Sequence, residues 1–337
     1  MAKSELYLNV MKHLTILVPK GKNNLSSIVG TYKVFKKANE YRTQLGKKEI
    51  FKIELAGLSK TVKFHDGLFT VRPHTHIAAI KKTDLIIIPA IGKDFSRCLS
   101  ANVSLVDWIR NQYDKGAEVA SICTGVFLLA STGLLKERNC STHWYAEGAF
   151  KKMFPDVNLQ PGKVITDEKG IYTNGGAFSF LNLLIYLVEK YYDRETAIYC
   201  SKIFQIDIDR NSQDAFTIFS TQKSHQDELI RKAQDLIERN RDQNLSFREI
   251  ADRLAISRRN FDRRFSNATG FTPVEYRQRV KVEIAKKAFE SSRKQIHEVM
   301  YDVGYSDSRA FREVFRSITG LTPLEYRNKY NREFSRT

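Results

Sequence analysis

The segment FSNATGFTPVEYR, beginning at Phe265, returns fifty residues later as FRSITGLTPLEYR, beginning at Phe315. Thr269-Gly270 aligns with Thr319-Gly320, Thr272-Pro273 with Thr322-Pro323, and Glu275-Tyr276-Arg277 with Glu325-Tyr326-Arg327. Two copies of one supersecondary unit within about a hundred residues predict a structure that performs one task twice.

Each copy carries the pattern of two helices joined by a tight turn. In the first, Ser246 and Glu249 have capping-box spacing. Ile250, Ala251 and Leu254 then recur at helical spacing, Ala255-Ile256-Ser257 interrupts, and Ser257 suits an N-cap. The helix that follows places Phe261 and Phe265 inward and leaves Arg258, Arg259, Asn260, Asp262, Arg263 and Arg264 mostly outward. In the second copy Val299 and Val303 form the inner stripe, and Gly304 suits the turn. Ser306 is read as opening a helix with Phe311 and Phe315 inside and Ser308, Arg309, Arg312 and Glu313 outside. The first helices align with an offset of 49 and the second with 50, so the later turn is one residue longer. Between the units, Thr272-Pro273-Val274-Glu275 starts a helix whose Tyr276, Val280, Ile284 and Phe289 share one side.

Short helices with aromatics inside and arginines outside suit a DNA major groove, where arginine meets phosphate or guanine. Residues 223 to 330 resemble the DNA-binding domain of AraC/XylS-type transcriptional regulators, on the strength of both units, the joining helix and the closing T-G-x-T-P-x-E-Y-R. The resemblance implies that both recognition helices enter successive major grooves about 34 Å apart. It places base readers at Arg259, Asp262 and Arg263, and at Ser308, Arg309 and Glu313, with Arg312 on phosphate and Arg258 and Asn260 beside them. An amphipathic helical domain with solvated charge is the plainer alternative, and the repeat with matched caps counts against it.

Charge agrees. The chain has 55 Lys and Arg against 38 Asp and Glu, a net +17. From Lys223 onward there are 25 basic and 17 acidic residues, against 30 and 21 before it. The denser tail suits phosphate contacts, and the excess in the first part suits solubility.

The preceding part reads as α/β. Leu14–Val18 and Asp84–Pro89 are buried strand runs, Phe51–Leu55 alternates, and Glu118–Cys123 is a strand followed by a helix from Thr124 to Leu135. Helical patterns run through Val29, Val34, Phe35 and Ala38, and through Leu105, Trp108 and Ile109. Ile171-Tyr172-Thr173 leads through Gly175-Gly176 into an apolar helix reaching Tyr191. Alternation of this kind implies a mostly parallel sheet covered on both faces.

Cys123 lies directly between a buried strand and a helix, where backbone N–H groups and the helix dipole favour a thiolate. With L-L-A-S-T-G-L-L-K at Leu128–Lys136, Ser141-Thr142-His143-Trp144 and T-N-G-G at Thr173–Gly176, residues 12 to 205 resemble the type 1 glutamine-amidotransferase-like, PfpI-like domain. That resemblance implies a flavodoxin-like sandwich, often dimeric, with a small-molecule pocket near Cys123, Thr124, Gly125, His143, Gly175 and Gly176. Some relatives respond to arginine or quaternary amines, but no aromatic box is identified here, so the effector stays open.

Three departures argue against catalysis. There is no Asp or Glu from Leu6 to Asn39, where catalytic relatives place an acid, and Lys33 stands where the regulator subfamily commonly has Glu. Thr124 replaces the histidine that follows the nucleophile in protease-like members, and Ser121 replaces the glycine two residues before it. No catalytic residue is assigned. Cys123 is read equally as an inert buried thiol, and His143 as a structural histidine. His74 and His76 form an H-x-H without a third ligand at metal spacing, so neither metal nor cofactor is expected.

The expected organisation is a sensor and dimerisation domain over 1–205, a linker over 206–222 whose Phe216 and Phe219 pack on one of the domains, and a double helix-turn-helix domain over 223–337. In the last of these Leu229, Ala233, Leu236 and Ile237 face inward on its first helix. Four dispersed cysteines, the absence of a signal-type start and of a twenty-residue apolar run point to the cytoplasm, with no membrane partner. The expected partners are double-stranded DNA, a small effector, a second copy of the chain and, for an activator, RNA polymerase. Two other classes stay open: a cysteine-dependent hydrolase or glyoxalase-like enzyme tethered to DNA, and an architectural DNA binder whose first domain only dimerises.

Overall fold

Alternate residues of the central strands point into two separate cores, and this divides the first unit into three layers. A computed structural model describes residues 11–208, 212–219, 223, 225–239 and 245–331. The chain separates into two compact units, Met1–Gln213 and Asp214–Thr337.

The first unit runs β1 (Lys12–Val18), α1 (Leu25–Gln44), β2 (Phe51–Gly57), a hairpin of β3 (Val62–Phe64) and β4 (Phe69–Val71), β5 (Thr75–His76) and β6 (Leu85–Ile88). Next come α2 (Phe95–Ala101), α3 (Val103–Asp114), β7 (Glu118–Ile122), α4 (Val126–Ser131), β8 (Asn139–Cys140), α5 (Glu147–Met153) and β9 (Asn158–Leu159). It closes with β10 (Ile165–Glu168), β11 (Ile171–Asn174), α6 (Phe180–Tyr191) and α7 (Arg194–Phe204). Seven strands form one sheet in the order β10-β11-β7-β6-β1-β2-β5. Every neighbouring pair is parallel except β10 with β11.

On β1, Leu14, Ile16 and Val18 join one core with Val34, Phe35, Leu183 and Leu187, while Leu17 joins the other. On β6, Leu85 and Ile87 join the first core, and Ile86 and Ile88 join Leu105, Ile109, Phe127 and Phe150 in the second. Strands buried on both faces need helices on both faces, and the chain supplies them. The expected α/β sandwich is therefore present. Two details differ. The helix expected from Thr124 to Leu135 spans only Val126–Ser131, because Cys123–Gly125 form a 3-10 turn and Gly133 adopts φ 75°. Val29 is exposed, and the buried side of α1 runs through Ile28, Val34, Phe35 and Ala38.

The second unit consists of α8 (Glu228–Arg239), α9 (Phe247–Arg253), α10 (Arg258–Thr269), α11 (Pro273–Ser291), α12 (Ile296–Asp302), α13 (Ser308–Thr319) and α14 (Pro323–Tyr330). Tyr276 and Val280 of α11 belong to a core with Phe261 and Phe265, and Phe289 belongs to a core with Phe311 and Phe315. Ile284 touches both, so one continuous helix serves two helix-turn-helix units. Each fully buried phenylalanine contributes about 1.5–3 kcal/mol of apolar burial.

The repeated letters have local explanations. Gly270 and Gly320 end the two recognition helices at φ 76° and 72°, a left-handed conformation that costs glycine little. Thr269 and Thr319 each accept the N–H of the residue after that glycine, at 3.2 Å. Thr272 with Glu275, and Thr322 with Glu325, close capping boxes with proline in the first turn. The Tyr276 hydroxyl donates to Glu238 at 2.8 Å, and that of Tyr326 to Glu290 at 2.6 Å.

Three expectations in this unit are corrected. The N-cap of α13 is Asp307, whose carboxylate accepts the Arg309 N–H at 2.8 Å, rather than Ser306. The buried stripe of α8 is Ile230, Ala233, Gln234 and Ile237, with Leu229 and Leu236 only partly covered. Arg264 is not a free outward arginine, because it forms a two-point bond to Asp227 at 2.9 and 2.8 Å. No described helix is long and apolar enough to cross a membrane.

Candidate nucleic-acid interface and elbow pocket

The recognition helices α10 and α13 owe their orientation to the buried pairs Phe261/Phe265 and Phe311/Phe315, four residues apart on one face. The opposite faces are exposed, and they carry the residues singled out from sequence. Arg258 Nε donates 2.9 Å to each carboxylate oxygen of Asp262, and Arg263 donates 3.2 Å to the Asn260 side chain. Arg309 Nε donates 2.9 Å to Glu313, and this pair is strongly exposed, at 86% and 66%. Ser308 is exposed in the first turn of α13. Arg259 and Arg312 are exposed and have no hydrogen-bond or ionic partner among the described residues. The surface pairs are worth only a few tenths of a kcal/mol, roughly 0.3–0.5, so a nucleic acid can displace them.

Residues 214–219, at the start of the second unit, are held to its helices through several anchors. The Tyr330 hydroxyl donates to the Ala215 carbonyl at 3.1 Å, and the Phe219 N–H donates to Glu283 at 3.1 Å. Buried Lys286, 4% exposed, donates to the Thr217 carbonyl and pairs with Glu283 at 2.8 Å. The Phe219 ring lies 5.2 Å from Tyr276 and 6.0 Å from Phe271, and Lys329 lies 4.7 Å over Phe216. Residues 214–219 thus form a strap held by α11 and by groups from both helix-turn-helix units. Both aromatics pack on the helical unit, and the burial of Lys286 within α11 is not readable from periodicity.

Cys123 follows β7 at φ 54°, a left-handed conformation rare for a residue with a side chain. Only 5% of it is exposed. Burial pushes its thiol up to about 11, against the opposing effect of the Thr124 N–H and hydroxyl and the His143 N–H. The expected thiolate is therefore not favoured. The physical reason is that α4 has only six residues and starts beyond a 3-10 turn, so its dipole is a weak counterweight to desolvation. Cys98, Cys140 and Cys200 are also buried thiols pushed upward by burial.

The His143 ring makes no hydrogen bond to this sulfur. Its Nδ1 accepts the Tyr145 N–H at 3.3 Å, its ring packs against Trp144 and Tyr145, and burial lowers its pKa to about 4. No imidazole or carboxylate among the described residues is hydrogen-bonded to Cys123 Sγ. The other pocket candidates have packing tasks. Thr124 Oγ1 accepts the Ile91 N–H at 3.0 Å and donates to the Ile91 carbonyl at 2.7 Å. A Cβ on Gly125 would stand 2.6 Å from the Pro89 carbonyl oxygen, so only glycine lets the elbow approach β6.

At Gly175 a Cβ would stand 2.2 Å from Gln213 Nε2. Gly176, at φ 88°, completes the turn. The close approach foreseen for this glycine pair is thus made to the chain's own Gln213, which is 3% exposed. Its Nε2 donates to the carbonyls of Thr142, at 2.9 Å, and Pro161, and its N–H donates to Gly162 at 3.0 Å. Periodicity carried no signal for this residue, which sits in a polar stretch. His74 and His76 are separately occupied: their Nδ1 atoms accept the N–H groups of Leu55 and Ala78. No group of three potential metal ligands occurs among the described residues.

Comparison with known proteins agrees with this division. Residues 15–190 match the DJ-1/PfpI family, and residues 250–329 match a helix-turn-helix domain. The chain is 24% identical over 217 residues to the HTH-type transcriptional regulator GbdR of Pseudomonas aeruginosa, an alignment covering 62% of this chain. It spans 58% of the length of that relative. It is also 24% identical over 238 residues to the HTH-type transcriptional regulator CdhR of the same species, covering 69% of this chain and 70% of CdhR. A crystal structure of a putative transcriptional regulator protein from Vibrio parahaemolyticus has the same fold, with a TM-score of 0.52 at 22% identity, over 58% of this chain and 99% of that one. The chain belongs to the DJ-1/PfpI family, and joins that domain to an AraC-type helix-turn-helix domain.

Proposed function

We propose that the chain is a sequence-specific DNA-binding regulator of transcription, acting as a homodimer, whose DJ-1/PfpI unit responds to a small effector and which activates through RNA polymerase. The carrying observation is the pair of recognition helices, each exposing arginines and each ended by the same glycine, threonine and capping-box arrangement around one continuous α11. The likeness to the transcriptional regulators GbdR and CdhR supports it.

In this reading Arg259 and Asp262 with Arg263 read one site, and Ser308, Arg309 and Glu313 read the next. Arg258, Asn260 and Arg312 hold phosphates or steady the readers. Effector binding beside Cys123, His143 and the Gly175-Gly176 turn shifts the population of domain arrangements, and the strap over residues 214–219 carries that shift to the readers. The elbow is not catalytic. Its thiol is protonated at neutral pH, and its histidine offers a backbone N–H rather than a base.

The test is selection of bound duplexes from a random library with the whole chain, repeated with Arg259→Ala and Arg309→Ala. The expected result is two blocks of base preference about ten base pairs apart, one erased by each variant. Absence of any enriched sequence, or unchanged preference in both variants, would sink the reading.

A further inference from the structure

A cleft of about 480 Å³ opens beside the carboxyl ends of β1, β2 and β5, within the size range of small-molecule sites. The sheet order reverses between β1 and β6, and crevices outside strand carboxyl ends near such a reversal are where open α/β sheets take ligands. None of the elbow residues lines this cleft.

Its chemistry is one-sided. Lys20, His76, Ser100 and Ser104 supply the polar wall, Trp108 and aliphatic residues supply the remainder, and no acidic residue lines it. Lys20 is fixed by its backbone: its N–H donates 2.8 Å to Asn102 Oδ1, and its carbonyl accepts from Asn102 Nδ2 at 3.0 Å. Its ammonium has no carboxylate partner among the described residues. His76 Nδ1 accepts the Ala78 N–H, so the neutral ring carries its proton on Nε2 and is a donor there. The indole N–H of Trp108 is buried away from the cleft, so Trp108 adds ring surface rather than a donor.

The first turn of α3 adds to this. Ser104 belongs to it, it contains no acidic residue, and its N-cap Asn102 makes no side-chain cap because its amide is spent on Lys20 and Cys98. A cation, an imidazole N–H, the Ser104 hydroxyl and an uncapped helix start therefore border an aliphatic floor, while the Ser100 hydroxyl donates to the Ser96 carbonyl at 2.9 Å.

We propose that this cleft binds a small organic monocarboxylate with an apolar body. The carboxylate lies toward Lys20, His76 Nε2 and the start of α3, and the body lies against the aliphatic wall and the Trp108 ring. The site goes beyond the elbow reading and does not depend on it. Its ligand chemistry is also the opposite of a quaternary amine, for which the cleft offers no anion.

The chain has two tryptophans, so the full-length Trp144→Phe variant leaves Trp108 as the sole indole reporter. Its emission is titrated with benzoate and hexanoate, and with benzamide as the neutral match. The expected result is a saturable change with both carboxylates, none with benzamide, and affinity weakened about tenfold by Lys20→Met. Cys123→Ser leaves the titration unchanged. Equal response to benzamide would overturn the proposal by showing a merely apolar cleft. So would absence of saturation with either carboxylate, an affinity indifferent to Lys20→Met, or loss of binding in Cys123→Ser.

Discussion

The side-chain amide of Gln213 donates 2.9 Å to the carbonyl oxygen of Thr142, and the Thr142 hydroxyl donates 3.2 Å to the carbonyl of Cys123. The last residue of the first unit is therefore two hydrogen bonds from the elbow, and the strap on the second unit begins at the next residue. Replacing Gln213 by alanine leaves buried carbonyls without their donor and is expected to cost about 1–3 kcal/mol. Gln213→Glu keeps the shape but sets an acceptor against acceptors, so it should cost more. Both tryptophans lie in the first unit, so urea unfolding followed by tryptophan emission reads this unit. A Gln213→Ala variant as stable as the parent chain would mean that the amide donor is unimportant.

Cys123 is expected to resist alkylation at neutral pH. With its thiol pushed up to about 11, the rate of reaction with iodoacetamide should rise tenfold per pH unit from 7 to about 10. The same shift sets the sign of its linkage. The unfolded thiol ionises near 8.5, so the stability contributed by the buried thiol is whole below that pH and is lost as pH rises toward 11. A plateau of the alkylation rate near pH 7 would restore the reactive-cysteine reading and reopen the enzyme class.

His143 makes the opposite contribution. Its pKa is lowered to about 4 by burial, so between about pH 6.5 and 4 the unfolded chain binds the proton that the folded one refuses. Stability is present above 6.5 and falls with acid, by on the order of 1–3 kcal/mol after allowance for partial exposure. His143→Gln should flatten this part of the acid limb in chemical denaturation from pH 7 to 4. An unchanged slope would mean that the imidazole is solvated.

What was legible in the sequence was local. Capping boxes at Ser246, Thr272 and Thr322, the inward phenylalanine pairs and the doubly buried strand at Leu85–Ile88 each follow from residues within one or two turns. What was not legible depends on distant partners. Gln234 takes a core position on α8 because Tyr276 and His225 satisfy its amide, so a stripe read from apolar letters alone came out shifted. Arg264 reads as an outward arginine because nothing local announces Asp227. At Cys123 the dipole and the burial have opposite signs, and only the burial, a property of the whole fold, decides between them.

The two turns offer an internal comparison. Ala255 and Gly304 occupy matching places after the first helix of each unit, at φ 53° and 72°. A side chain in the left-handed region costs roughly 1–2 kcal/mol, so Ala255→Gly should stabilise the helical unit by up to about 1 kcal/mol. Gly304→Ala should destabilise it by a similar amount. Amide hydrogen exchange within α9, α10, α12 and α13 measures each unit separately. The same sign for both substitutions would show that side-chain packing at the turn, rather than backbone conformation, controls these positions.

Arginine roles on the second recognition helix separate by salt dependence. Arg312 is exposed without a hydrogen-bond or ionic partner among the described residues, which suits a phosphate, whereas Arg309 pairs through Nε with Glu313 and has its other guanidinium donors open. Phosphate contacts act through counterion release and carry no base information, so Arg312→Ala should weaken every duplex alike and lower the slope of log K against log salt by about 1. Arg309→Ala should instead cost about 1–3 kcal/mol on the selected site, with little effect on unrelated duplexes. Fluorescence anisotropy with both duplexes over a salt series measures both quantities. If Arg312→Ala changes base preference while Arg309→Ala changes only the salt slope, the roles are reversed, and α13 must be rotated in the groove relative to the arrangement proposed.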